Sequence, residues 1–436
     1  MSAGIRTFVR MPQTDAAWGI TMILYLIVTI LALAAACLVL SPDPLPGRLF
    51  HADGAVQRRR PASDGPCRRT RAEGCSRIAM VLLFTALFLP LALRVNTGND
   101  YAKYVDFMHL IRSHAYVPTE AGFNAFVRAV YALSGFENYL LVFALIAAAT
   151  LALFLAAIWQ QADDFAASFF LFMMLGYYFQ TYNTVRYYFA MALVLFASGY
   201  LLRREFAPFV CLVLLAALFH KSALLVLLLY PVAALPWKKW FWAAGAVLSV
   251  SFPLFQNFWL RVVVKLYPSY EGTEYLAGSG INPTNIARCC AVLLLAAVTC
   301  LGGKMSVSGG GKTVSLYDLY EETPGRARQE RFWFHLTVMA LALYVFCSFL
   351  PIISRIGYYL TLPQIFYIPR LLRRLQEGGT ARRRLTGRVF TVLTVLAAVL
   401  YFALFLGKLS RPELRILPYH TFLFTDMPKT LSQMSD

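Results

Sequence analysis

Long apolar runs, separated by short polar or basic connections, leave this chain few ways to fold. Twelve can be marked: Ala17–Leu40, Ile78–Leu93, Tyr139–Trp159, Phe165–Phe179, Thr184–Leu202, Phe206–Phe219, Ser222–Leu235, Trp240–Phe258, Thr284–Leu301, Phe332–Leu350, Ile352–Ile368 and Val389–Leu406. About 20 apolar residues in a helix cross the ~30 Å hydrocarbon core of a bilayer. A backbone in lipid must satisfy its own polar groups, so each run reads as a helix. A membrane barrel would instead alternate polar and apolar residues over strands of ~10 residues, and no such pattern occurs. Hydrophobic residues make up 59% of the chain and charged ones 14%, against roughly 25% charged in a soluble domain. The predicted fold is all-α: a polytopic transmembrane helical bundle of about twelve spans, with residues 1–436 as one integral membrane domain. Eleven spans is the main alternative. His220-Lys221 splits one close pair of runs and Pro351 another, each being two spans or one broken helix.

The net charge of +18 does not point to nucleic acid, because the basic residues sit between the apolar runs. The segments 41–77, 302–331 and 370–388, with Arg203-Arg204 and Lys238-Lys239, hold 24 of the 40 basic residues. All fall on one side of a twelve-span arrangement, and that side is the cytoplasm by the positive-inside rule. Both termini then lie outside. The Pro-, Gly- and Arg-rich loop 41–77 reads as disordered. Loop 302–331 reads as a linker. Its Gly309-Gly310-Gly311-Lys312-Thr313 lacks the earlier glycine and the preceding strand of a phosphate loop. Of eight cysteines, Cys37, Cys211, Cys289, Cys290, Cys300 and Cys347 lie in apolar runs and are expected to be buried hydrophobes. Cys67 and Cys75 lack metal-site spacing.

The opposite face carries unusual polar residues. The loop 94–138 contains Arg94, Gly98, Asp100, Tyr104, Glu120, Gly122 and Phe123, and its Phe, Tyr and Leu residues suggest amphipathic helices on the membrane surface. Asp100 there is a helix cap or a functional carboxylate. Asn183, Arg186 and Tyr187 follow at the next outer turn, where Arg186 sits just inside an apolar run and either snorkels or faces a cavity. His220, Lys221 and Ser222 form a tight polar turn or a pair of cation-capable donors. Arg355 and Tyr359, four residues apart, share a helix face, with Tyr358 beside them. Arginine forks bind phosphate oxygens, aromatic rings stack on sugars, and a carboxylate supplies a base. Converging on one face, these residues suit a phosphate-and-sugar substrate.

Gly98-x-Asp100-x-x-x-Tyr104 followed by Glu120-x-Gly122-Phe123 resembles the extracytoplasmic motif of the EpsG family, among the Wzy-like polymerases of O-antigen, capsule and exopolysaccharide. Arg186 with Ala190-Met191-Ala192-Leu193 resembles the family's Arg-led span. Phe219-His220-Lys221-Ser222-Ala223 resembles its Phe-His-x-Ser-Ala turn, and Arg355 with Tyr358-Tyr359 its late Arg-Tyr segment. The resemblance covers roughly Leu91 to Tyr367. Ala121 stands where the family commonly has proline, and the insertion 41–77 is large. The resemblance implies a membrane glycosyltransferase of GT-C-like architecture in the bacterial inner membrane, its active site facing the periplasm. Donor and acceptor would be undecaprenyl-diphosphate-linked glycans, with a flippase and a chain-length regulator as partners and no cofactor.

With no Asp-x-Asp motif on the outer side, Arg186 and Arg355 are the expected stabilisers of the diphosphate leaving group, assisted by His220 or Lys221. Asp100 is the first candidate for the base and Glu120 the second. Arg94, Gly98, Tyr104, Asn183, Tyr187, Lys221, Ser222, Tyr358 and Tyr359 are candidates for substrate binding, and no metal site is expected. Competing readings are an O-antigen ligase, for which the late outer loops look short, and a flippase or secondary transporter, for which inverted repeats and midplane charges are missing.

Overall fold

Apolar runs in hydrocarbon satisfy their backbone groups within one helix, and the computed structural model follows that rule. It describes residues 15–41, 66–266, 281–303, 324–350, 353–377, 381–409, 411 and 414–423. The helices are α1 (Asp15–Cys37), α2 (Pro66–Ala92), α3 (Tyr101–Arg112), α4 (Ala121–Ser134), α5 (Tyr139–Gln161), α6 (Phe165–Met174), α7 (Tyr177–Gln180), α8 (Val185–Leu202) and α9 (Phe206–Ala217). After a 3-10 helix (Lys221–Leu225) come α10 (Val226–Ala234), α11 (Lys239–Leu254), α12 (Gln256–Leu266), α13 (Pro283–Gly303), α14 (Pro324–Phe346), α15 (Ile353–Thr361), α16 (Gln364–Gln376) and α17 (Ala381–Leu406). No strand occurs among the described residues, only an isolated bridge between Arg94 and Thr421.

Among the described residues, six helices are long and apolar enough to cross a membrane: α1, α2, α5, α8, α13 and α17. The pair α11 and α12, bent by 93° at their junction, makes a seventh if counted as one span. The outward faces of α1 and α17 expose Ile23, Ile27, Ile30, Leu393, Leu396 and Leu400, as a lipid-facing surface requires. Most of the other apolar runs fold into shorter pieces, whereas α14 is 23 residues long but starts in a charged stretch. Gly176 separates α6 from α7, and α14 carries Arg326, Arg328, Glu330 and Arg331 near its start. Both close pairs fold as separate helices. Pro351 lies outside the described residues.

Two expected loops are shorter than read. Helix α2 begins at Pro66, well ahead of the apolar run at Ile78, and α14 begins at Pro324. The stretches 42–65 and 304–323, the latter with the glycine-lysine segment, lie outside the described residues. The expected burial of cysteines holds for Cys289 and Cys347. Cys37, Cys211 and Cys290 are exposed instead. A thiol behaves as a small hydrophobe, so an outward position in an apolar helix suits it equally.

Helix α8 is the most buried of the six. Its Ala190, Ala192, Ala197, Ser198 and Gly199 are buried, and such small residues let neighbouring helices approach closely. Gln161 ties α5 to α8: its Nε2 donates to the Leu195 carbonyl at 2.7 Å and its Oε1 accepts from Ser198 Oγ at 3.0 Å. With a 1.5 Å rise per residue, the 18 residues of α8 separate its ends by about 27 Å. Near its C-terminal end, Arg328 Nη1 donates to the Leu202 carbonyl at 3.0 Å. The Arg-rich ends of α16 and α17 share this basic end of the bundle. Here Arg370, 6% exposed, pairs with Asp163 at 2.8 Å and Glu330 at 3.2 Å, and Arg374 pairs with Glu330 at 2.6 Å. Mutual pairing is what makes such buried charges tolerable.

Candidate active site

The N-terminal end of α8 opens on a different chemistry. A cavity of about 150 Å³ is lined there by Gln180, Asn183, Thr184, Tyr187, Tyr188, Arg355, Tyr358 and Leu414. One water needs only about 10–15 Å³, so this space admits a polar group of substrate size. Its walls come from the turn before α8, from α8 itself, from α15 and from the C-terminal segment.

The loop carrying Asp100 is held from two sides. Gly98 adopts φ +103°, and a Cβ there would run into the Tyr182 carbonyl, so glycine is required by conformation and by space. The N–H groups of Gly98 and Asn99 donate to the carbonyls of Arg415 (2.8 Å) and Leu414 (3.0 Å). The Asp100 N–H donates to Oδ1 of Asn183 at 2.9 Å, hanging this residue on the cavity wall. Asp100 precedes α3, yet its side chain makes no capping hydrogen bond. The carboxylate is thus not engaged as a helix cap. Burial pushes its pKa upward, against the pull of Lys103, Arg355 and Arg186.

Beside this lies an ion pair. Arg186 Nη1 donates to Oε2 of Glu120, whose Oε1 accepts the Lys221 N–H at 3.2 Å. The pair's side chains are 14% and 13% exposed. The Arg186 guanidinium lies 5.6 Å from the Tyr104 ring centre and 5.4 Å from that of Phe123, within cation–π range. Gly122 makes the arrangement possible: its N–H donates to the Leu218 carbonyl at 2.9 Å. A Cβ at that position would lie 2.6 Å from Leu218 Cβ.

A third group links the pair to the cavity. His220 Nδ1 and Ser222 Oγ are 2.6 Å apart, and Ser222 Oγ lies 3.3 Å from the Tyr359 hydroxyl. The His220 ring meets the Tyr187 ring edge-on at 5.1 Å, and the Tyr187 hydroxyl donates to the Arg355 carbonyl at 2.6 Å. Burial, then the charges of Arg355 and Arg186, pull the His220 pKa from 6.5 to about 3. At neutral pH the imidazole is therefore uncharged. Because the folded value lies below the unfolded one, the unfolded chain binds the extra proton between about pH 3 and 6.5. The neutral imidazole's contribution to stability is complete above that window and is lost as pH falls through it. Thermal melting of purified protein from pH 7.5 to 4.5 is expected to fall more steeply for the wild type than for His220→Gln. Parallel profiles would contradict the assignment.

Residues 77–421 match the EpsG family. The chain belongs to the EpsG family. Comparison with curated proteins and with solved structures gives no match. Membership is consistent with a polysaccharide-polymerase-like, glycosyltransferase-like membrane protein.

In this EpsG-family protein the structure brings Asn183, Tyr187, Arg355 and Tyr358 to the cavity wall, with Asp100 tied to it by its backbone N–H and Glu120, Arg186, His220, Ser222 and Tyr359 adjoining. Tyr104 supports Arg186 from beneath, and Gly98 shapes the Asp100 loop. Two expected substrate-binding residues are placed otherwise. Arg94 is 2% exposed and does not line the cavity. Its guanidinium lies 5.4 Å from the Phe143 ring centre and 5.1 Å from that of Tyr182, beside a void of about 10 Å³. The Lys221 residue is exposed, and the contact it makes with Glu120 is through its backbone N–H.

Gln180, Tyr188 and the C-terminal segment were not singled out from the sequence. Besides Leu414 and Arg415, the segment supplies the His420 carbonyl to the Val95 N–H at 2.8 Å and the Ile416 carbonyl to the Tyr25 hydroxyl at 3.0 Å. It straps the Asp100 loop to the bundle, and the family match runs through it to residue 421. Gln180 was legible as a polar residue at the end of an apolar run.

Proposed function

We propose that this protein is a polysaccharide polymerase that joins undecaprenyl-diphosphate-linked oligosaccharide repeat units at the periplasmic face of a bacterial inner membrane, in exopolysaccharide, capsule or O-antigen synthesis. The observation that carries the reading is the cavity wall: Arg355, tyrosines and amides, with Asp100 attached through Asn183. The positive-inside rule, applied to the Arg-rich end, puts that end in the cytoplasm and the cavity outside. The twelve-span, GT-C-like arrangement belongs to the same reading, with α9, α10, α14 and the broken helices as additional crossings.

In this mechanism Asp100 takes the proton from an acceptor hydroxyl, and the oxygen attacks the anomeric carbon of the donor sugar. The bond from that carbon to the diphosphate breaks, and the diphosphate leaves with the electron pair. Arg355 carries the developing negative charge without need of a metal ion. Direct displacement inverts the anomeric centre. The Glu120–Arg186 pair holds the first loop against the His220 turn, so that Asp100 and Arg355 face one space. With Arg186 and Glu120 paired to each other, Arg355 takes the leaving-group role expected of both arginines, and Asp100, the first candidate, is the base.

Gel analysis of surface glycan in a strain lacking the gene tests the reading. A single-repeat product in place of a ladder is expected. An unchanged ladder would contradict it, and loss of lipid-linked repeats altogether would place the protein at an earlier step. Chains of normal length not transferred to their final acceptor would instead indicate a ligase.

A further inference from the structure

Behind the cavity lies a charge that the mechanism above does not use. Arg288 sits in the second turn of α13. Its Nη1 reaches the Tyr177 hydroxyl only at 3.4 Å, and its buried Nε and Nη2 have no hydrogen-bond partner among the described residues. None of the ion pairs among the described residues includes it. A tyrosine meets it instead. The Tyr177 ring meets the Tyr358 ring edge-on at 6.4 Å, and Tyr358 lines the cavity together with Tyr188. Tyr188 donates to Oε1 of Gln180 at 2.6 Å, another residue of the cavity wall.

A guanidinium keeps its charge and offers five N–H donors. Holding one in a membrane-spanning helix with most donors unused is costly, and such residues mark substrate and ion pathways. Packing alone would be served as well by leucine or methionine. The basic end shows the contrast, for there Arg370 and Arg374 are matched by Asp163 and Glu330. Arg186 is matched too, by Glu120.

We infer that Arg288 is a positioning residue for an isoprenoid diphosphate, acting through Tyr177, whose hydroxyl it reaches, and through Tyr358, which packs on Tyr177 and lines the cavity. A cation behind a phenol attracts the oxygen lone pairs and turns the O–H away, toward an acceptor on the far side. Tyr358 thereby becomes a donor to a phosphate oxygen, while the Tyr188 hydroxyl stays on Gln180, and the charge of Arg288 adds to that of Arg355 at the cavity. The choice of diphosphate as ligand rests on the polymerase reading, whereas the choice of Arg288 over Arg94, which also has unpartnered buried nitrogens, rests on the Tyr177–Tyr358 contact that leads to the cavity.

The test uses the purified full chain in nanodiscs, with farnesyl diphosphate as probe and inorganic pyrophosphate as competitor. Arg288→Met is expected to weaken farnesyl diphosphate binding about tenfold or more without lowering the melting temperature of the ligand-free protein. Arg288→Lys, which keeps the charge, is expected to recover most of the affinity. Unchanged affinity in Arg288→Met would overturn the inference, as would equal loss of ligand-free stability in the Met and Lys variants. Competition by pyrophosphate as strong as by farnesyl diphosphate would overturn the lipid assignment. Should Arg288→Met fail to insert, Tyr358→Phe removes a relaying hydroxyl and keeps the ring: weaker binding supports the relay, and unchanged binding contradicts it. Chain extension by the wild type reports separately on the polymerase reading. Probe binding that depends on Arg288, in a protein that extends no chain, would keep this inference and sink that reading.

Discussion

Asp100→Asn is expected to abolish the polymer ladder while the protein inserts and melts as the wild type does. Asparagine preserves the size of the side chain and leaves intact the backbone bond to Asn183. The Asp100 side chain makes no capping bond that the change would break. What it removes is the proton acceptor. General-base catalysis contributes typically 10²–10⁴-fold to rate, so chain extension in a defined assay is expected to fall by about that factor. The raised pKa of Asp100 makes its carboxylate a stronger base than an exposed aspartate, and asparagine offers no substitute. Ladder formation within a few fold of wild type would remove Asp100 from the mechanism.

The second large effect belongs to the Glu120–Arg186 pair. Arg186→Ala leaves Glu120, 13% exposed, with the Lys221 N–H as its remaining partner among the described residues. Breaking one side of a buried ion pair costs about 3 to 5 kcal/mol, and the lost contact with the Tyr104 and Phe123 rings adds about 1 kcal/mol. Arg186→Ala is therefore expected to lose polymer and to lower the melting temperature clearly. Glu120→Gln is expected to be milder, because a glutamine carbonyl still accepts from Arg186, at the loss of the acceptor for the Lys221 N–H. Combining Arg186→Met with Glu120→Gln removes both charges and is expected to recover stability relative to Arg186→Ala, with activity still low. A thermal-melt and ladder comparison of the three variants checks this. If Arg186→Ala melts like the wild type and extends chains normally, the pair has no part in building the site.

What the sequence made legible follows from what physical chemistry writes into it. Apolar runs announce helices because lipid permits little else, and clusters of arginine mark one end of the bundle because loops carry the topology signal. Arg186 and His220 could be found because a polar residue at the edge of an apolar run is conspicuous, and Glu120 because it stands in the motif of the outer loop. Their mutual pairing could not, since a sequence does not say which partner a guanidinium chooses. Arg94 shows the same limit: it is a neighbour of Asp100 in sequence, yet its side chain turns inward between Phe143 and Tyr182. The C-terminal strap was illegible for another reason. It holds the Asp100 loop by the backbone carbonyls of Leu414, Arg415 and His420, and a carbonyl is common to every residue type. Arg288 was passed over although the signal was present, a single arginine five residues into the apolar helix that begins at Pro283.

The central claim is that a cavity opening away from the basic end couples Asp100 and Arg355 to join lipid-linked glycans. Its most direct test is chain extension in sealed vesicles containing the purified full chain, without a gradient and with lipid-linked repeat units supplied. The account predicts a ladder from the wild type and single repeats from Asp100→Asn and Arg355→Ala. No extension by the wild type, or undiminished ladders from both variants, would contradict it.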